Sequence, residues 1–387
     1  MRIFLSLLPS GNASVAGSET WLHNLYEPLI DLGHDVCLFR IDEAAKILNV
    51  KYGTKKFRES FSDYLLTKFK EEHNKKKFDF FLSYFQDKHI FPSVIDQIKK
   101  SGVPTANFTC NNTHQFYLTK DIAAHYDFNL HSEKSAGEKF KKIGAKPVWF
   151  QMAANPKYYH PVKCEKKYEV SFIGSSYAKR ANYIYHLLEN NIDVHCFGPN
   201  WLINKPYARI KKGYKELKRI DNLIRSLLTS DGLKRCQISS IINYYDLQCY
   251  LRKKYADNLH YPVNDEGLVK LFNESEINLG FLEVFAKDND GHAYTKQHLH
   301  LREFEIPMSG GLYFTNYSDE LAEHYEPDKE VIVYRNEHEL LDKVKYYLGH
   351  PQEAEKVRRA GYKRALECHT YQKRFTELFT NIFKMGI

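Results

Sequence analysis

No two of the seven cysteines form a C-x-x-C pair; Cys37, Cys110, Cys164, Cys196, Cys236, Cys249 and Cys368 are scattered along the chain. A disulfide framework needs an even, clustered set and a structural zinc site needs close pairs, so reduced thiols of a cytoplasmic protein are expected. No apolar run approaches the ~18 residues that a membrane-spanning helix requires. The opening "MRIFLSLLPSGN" has one Arg and a short apolar run before Pro9. That run is too short for a signal-peptide core and reads as a first buried strand. Also missing is a G-x-G-x-x-G turn after the leading strand of either half of the chain, which argues against a nicotinamide dehydrogenase.

What is present is ample material for two cores. The 387 residues are 43% hydrophobic and 14% aromatic, enough for two domains of ordinary size. The net charge of +8 is not spread evenly. Between Lys205 and Lys254 thirteen Lys/Arg face four Asp/Glu, so this one segment carries a local excess of nine and the remainder is near neutral.

Short apolar runs alternate with helical patterns through residues 1–155: "RIFLSLL", "DVCLFRI", "FDFFLSYF", "VPTANFTC", "FNLHS" and "PVWFQM" are strand-like, with helical stretches between them. Strand, helix, strand, repeated, is the pattern of a parallel sheet wrapped on both faces. A Pro-bounded linker at 156–165 leads to a second series over 166–370: "YEVSFIGSS", "IDVHCFG", "INLGFL", "LYFTN" and "VIVYRN" as strands. Residues 205–258 interrupt that rhythm and read as a basic helical hairpin, with Leu217, Ile220, Leu223, Ile224, Leu227 and Leu228 on one face. Residues 371–387 read as a final helix.

In open parallel sheets ligands bind beyond the carboxyl ends of the strands. Three stretches of the second half fall there. In "FIGSSYAKR", Gly174, Ser175 and Ser176 leave a strand and Lys179-Arg180 open a helix. Small residues admit a phosphate to backbone N–H groups, and nearby cations suit a diphosphate; the plainer alternative is a tight turn beside solvated cations. In "REFEIPMSGG", Glu305 stands early in a short helix that ends at Gly310-Gly311, with Arg302 three residues before it. One carboxylate accepts two hydrogen bonds at once, as a ribose diol requires; an Arg-Glu pair at a helix start is the alternative. "FAKDNDGHAYTKQHLH" reads as a polar loop over the donor. Its Asp288-Asn289-Asp290 matches a short metal-binding signature but also an ordinary solvated turn. In the first half, Gly11 and Gly17 mark a small-residue loop, and Asn111, Asn112 and His114 follow another strand, where His114 is a candidate base or hydroxyl-orienting group.

Taken together, "VSFIGSSYAKRANYIYHLLENNIDVHCFGPNW", "LFNESEINLGF", the long stretch from "LREFEIPMSGGLYFTN" to "CHTYQKRF", and "YDFNLHSEKSAGEKFKKIGAKPVWFQMAANPKYYHP" resemble the CgeB-like, spore-maturation-type glycosyltransferases. These segments cover somewhat under half of the chain. The resemblance implies an α/β fold of the GT-B type, two Rossmann-like domains facing each other across a cleft, with the final helix crossing back onto the first domain. It implies transfer of a sugar from a nucleotide diphosphate, a UDP-sugar foremost, to a glycan or protein acceptor, with no cofactor and no metal. Glu305 matches the nucleotide-binding second Glu of the group's E-x7-E motif; the first is replaced by Gln297. Gly174, Ser175, Ser176, Lys179 and Arg180 match the phosphate-binding turn, with Arg302, Gly310 and Gly311 also on the donor side. Gly11, Gly17, Asn111 and Asn112 fall on the acceptor side. The rival reading is a catalytically idle module that binds a polyanion, nucleic acid or anionic membrane surface through residues 205–254.

Overall fold

The computed structural model describes residues 1–7, 19–202, 246–287 and 293–384. Gly11, Gly17, Asp288-Asn289-Asp290 and the basic hairpin up to residue 245 lie outside these. Residues 246–254 are helical, and a short turn over Ala256–Asn258 follows.

Among the described residues fourteen strands build three sheets. The first holds β1 (Arg2–Leu7), β2 (Asp35–Arg40), β3 (Phe80–Ser83), β4 (Thr105–Thr109), β5 (Phe128–His131) and β6 (Pro147–Trp149), in the order β2-β1-β3-β4-β5-β6 and wholly parallel. Its central strands are buried along nearly their whole length rather than at alternate residues, as a helix-covered parallel sheet demands. The second holds β7 (Tyr168–Ile173), β8 (Val194–Phe197), β9 (Leu259–His260), β10 (Ser275–Leu279), β13 (Tyr313–Asn316) and β14 (Ile332–Tyr334), also parallel. Its order is β9-β8-β7-β10-β13-β14. The chain winds outward from β7 in one direction and from β10 in the other, which is the doubly wound arrangement with a switch point between them.

The third sheet corrects the sequence reading of residues 285–300 as a loop. β11 (Glu283–Lys287) and β12 (Ala293–Gln297) pair antiparallel, Glu283 opposite Gln297. The helix Tyr371–Lys384 packs Tyr371, Phe375, Leu378 and Ile382 against Leu25, Leu29, Phe80 and Phe150 of the first domain. No helix among the described residues is long and apolar enough to cross a membrane.

Candidate active site

The switch point of the second sheet opens beyond Ile173 of β7 and Leu279 of β10. Gly174 follows β7 because the backbone has no room for more: a Cβ there would stand 2.8 Å from the Phe172 ring. Its N–H donates to Phe197 O at 2.9 Å, and its carbonyl accepts from Trp201 Nε1 at 2.8 Å. The Ser176 N–H donates to Pro199 O at 3.2 Å, while Ser176 Oγ accepts from Gln248 Nε2. Two of the N–H groups expected to cradle a phosphate are therefore already engaged by the neighbouring β8 segment.

The charge at this turn comes from Arg180, the first residue of the helix Arg180–Glu189 and only 7% exposed. Its guanidinium lies 3.8 Å from the centre of the Tyr177 ring. It donates to Ser175 O at 3.0 Å, Tyr177 Oη at 2.9 Å and Phe281 O at 3.4 Å. Burial draws its pKa below the usual arginine value, and its Nε finds no partner among the described residues. Lys179 differs sharply: its side chain is 61% exposed and stands 3.7 Å from Glu283.

The helix Arg302–Met308 carries Glu305 into full burial. Glu305 Oε2 accepts from Arg302 Nη1, whereas Oε1 is buried with no partner among the described residues. The two glycines have a local cause. Gly310 adopts φ 72° to end the helix, and its N–H and that of Gly311 donate back to Pro307 O and Ile306 O, each at 2.9 Å. A Cβ on Gly311 would meet Ile306 Cγ2 at 2.8 Å and Asn278 Nδ2 at 2.9 Å. Glu303, two residues before Glu305, accepts from Tyr313 Oη at 2.6 Å and from the His300 N–H. Burial raises its pKa. Gln297 turns to the rim, donating to Tyr317 O at 2.6 Å.

Opposite lies the carboxyl edge of the first sheet. Asn111 takes the left-handed region at φ 63°, which Asn tolerates better than most residues, and turns the chain after β4. Asn112 is buried and donates to Thr109 Oγ1 at 2.8 Å, so it braces the loop from within. After β5, Glu133 is 3% exposed and reaches the other domain, accepting from Lys296 Nζ at 2.7 Å and pairing with His298 Nδ1 at 3.1 Å. It also accepts from the Thr113 N–H at 2.7 Å. Burial alone would raise its pKa, but these partners prevail and hold it well below the usual carboxylate range.

Between these edges lies a cavity of about 470 Å³, lined by Asn111, His114 and Gln115 from one domain and Tyr177, Val284 and His300 from the other. Buried polar atoms without partners are uncommon in folded proteins. Here His114 Nδ1, His298 Nε2 and His300 Nε2 join Arg180 Nε and Glu305 Oε1 in that state among the described residues. The ring of His298 packs 4.7 Å from that of His300 and 6.2 Å from that of His114. Burial lowers the pKa of His114 and of His300, favouring neutral imidazoles.

The structure thus brings Asn111 and His114 to one cavity, with Arg180 bound to Tyr177 of its lining rather than lining it. Arg302 and Glu305 are not among its lining residues, Lys179 stands at the surface, and Gly310 and Gly311 terminate a helix. Sequence reasoning passed over Glu133, Tyr177, His298, His300 and Glu303. Two signals were available: an acid just past a buried strand, in "FNLHSE", and the paired histidines of "QHLH".

Comparison with known proteins agrees with this fold. The family described as glycosyl transferase-like matches residues 218–380. No curated protein matches the sequence. Among solved structures, sucrose-phosphate synthase from Thermosynechococcus elongatus superposes with a TM-score of 0.59 at 12% identity, over 99% of this chain and all of that one. Anabaena HepE, solved with UDP and glucose, gives 0.58 at 9% identity over 98% of both chains. An alpha-glucosyltransferase bound to UDP and a 13-mer DNA gives 0.55 at 11% identity over 98% of both. The two facing parallel sheets are therefore the GT-B fold of glycosyltransferases, and the sequence match to a glycosyl transferase-like family falls on the second domain and the C-terminal helices.

Proposed function

We propose that the protein transfers a sugar from a nucleotide-diphosphate donor, foremost a UDP-sugar, to a glycan or protein acceptor, as the CgeB-like enzymes that its sequence resembles do. The observation that carries this reading is Glu305: a fully buried carboxylate with one oxygen bonded to Arg302 and the other unclaimed among the described residues, in the segment of strongest family likeness. A buried carboxylate oxygen without a donor is costly, and a ribose hydroxyl supplies that donor. UDP bound in HepE and in the alpha-glucosyltransferase supports the choice of nucleotide.

In this reading Gly174, Ser175 and Ser176 border the diphosphate, and Arg180, with Lys179 and Arg302, meets the negative charge that grows on the departing diphosphate, so the reaction is drawn without a metal or cofactor. Such electrostatic stabilisation is often the largest catalytic contribution. Asn111 and His114 face the acceptor, with neutral His114 suited to accept a hydroxyl proton. The cytoplasm is the place of action, where unpaired cysteines stay reduced, and residues 205–254 offer contact to an anionic surface.

A titration of UDP, GDP, ADP and dTDP sugars, paired with an assay of slow donor hydrolysis, tests the reading. Glu305→Gln is expected to weaken binding of the preferred donor by ~10–100-fold, the worth of a charged hydrogen bond. Arg180→Ala is expected to lower turnover by ~10²–10³-fold. Unchanged donor affinity in Glu305→Gln overturns the assignment.

A further inference from the structure

Glu133 belongs to the first domain, yet its carboxylate holds both walls of the cavity. On its own side it accepts from the Thr113 N–H, the residue beside His114. Across the cleft it holds Lys296 at the end of β12 and His298, whose ring supports His300. The surroundings are otherwise basic: Lys139 donates to Thr113 O, and His114 packs against His298. Glu320, an acid whose charge acts on Glu133, is itself held by Gln151 Nε2 at 3.2 Å. One negative charge therefore lies between Lys139 of one domain and Lys296 of the other. Without it, two ammonium groups repel each other across the cleft, that of Lys296 on a side chain only 16% exposed.

We propose that Glu133 is a positioning residue that couples closure of the two domains to the alignment of the cleft histidines, through the Lys296 and His298 contacts on one side and the Thr113 contact on the other. The coupling does not depend on which donor enters the cavity, so it stands or falls separately from the proposed reaction.

Hydrogen exchange on the full chain, without donor, reads the coupling directly. Glu133→Gln keeps the shape and the Thr113 contact but removes the charge. Amide exchange in residues 111–118 and 293–302 together is expected to accelerate by about tenfold or more beyond any change in β1, β3, β7 and β10. Because both substitutions break the same pair, Glu133→Gln with Lys296→Gln is expected to be no worse than the single change. Acceleration confined to one wall, uniform acceleration of the whole chain, or additive effects in the double variant would each overturn the proposal. If Glu133→Gln does not fold, Lys296→Gln alone is read in the same way: both walls must loosen, and loosening of the hairpin alone overturns it. In UDP-glucose hydrolysis, Glu133→Gln is expected to lower kcat about tenfold with the donor KM nearly unchanged, because the alignment and not the donor contact is lost; an increase in KM alone counts against coupling. An absence of hydrolysis in the parent protein refutes the proposed reaction while the exchange result still decides the coupling.

Discussion

Glu133 and Lys134 are consecutive, and both reach from the first domain to the second, in opposite surroundings. Glu133 is enclosed, with Lys296 and His298 pressed against it and almost no water in reach. Lys134 pairs with Glu323 where the two side chains are 45% and 50% exposed, and its ammonium lies 4.7 Å over the Trp149 ring. Both contacts join the same two domains by an ion pair, so the difference between them isolates what burial does. In the enclosed pair, removing one partner strands the other charge where it was desolvated; in the exposed pair, water takes the vacated place. Glu133→Ala is therefore expected to cost about 3–5 kcal/mol of folding stability, measured by urea denaturation with both domains followed. A loss under about 1 kcal/mol would place Glu133 with the surface pairs and end the distinction.

The contrast also explains what was legible in the sequence. The doubly wound halves could be read because most strands centre on a short apolar run, as in "YEVSFIGSS" closing on Gly174. Glu305 could be read because an acid inside "REFEIPMSGG" sits in an apolar helix with its own arginine three residues away. Glu133 could not. Its partner Lys296 lies 163 residues further on, and only the facing of two sheets brings them together; locally, an acid after a strand looks like any solvated residue. The hairpin of β11 and β12 was missed for another reason. Its polar, histidine-rich composition suggested a loop, although Asp290-Gly291 between two alternating stretches is itself a hairpin signal. At the Gly174 turn the residue types suit a phosphate, while the N–H groups of Gly174 and Ser176 donate to Phe197 O and Pro199 O, contacts that the local sequence does not reveal.

Acid sharpens the comparison at intermediate scale. His324 is buried beside the exposed contact, its ring 6.0 Å from that of Trp149. Burial first, then the charges of Arg374, Lys134 and Arg364, draw its pKa down to about 4, with Glu323 opposing them. The folded state thus refuses a proton that the unfolded chain accepts near pH 6.5. Its contribution is complete above that pH and is lost as the pH falls from about 6.5 towards 4. Between pH 7 and about 5.5 this ring alone removes about 1 kcal/mol. His324→Gln, which cannot titrate, is expected to show that much less loss over the same interval in paired denaturation curves. An identical pH slope in the two proteins would show that His324 titrates in the folded protein as it does in the unfolded chain.

The smallest effect belongs to Lys134. Its pair with Glu323 is half in water, so Coulomb attraction is weak and two flexible side chains must be ordered to form it. The Trp149 face adds an exposed cation–π contact, worth about 0.5–1 kcal/mol. Lys134→Ala is accordingly expected to lower stability by no more than about 1 kcal/mol. Most of that should disappear when ionic strength is raised to about 1 M, where screening acts over only ~3 Å. Glu133→Ala should keep its cost in the same salt, because ions do not reach an enclosed pair. If instead the two variants lose equal stability and respond equally to salt, the two neighbouring residues are equivalent struts, and burial is not what sets the strength of the contact between the domains.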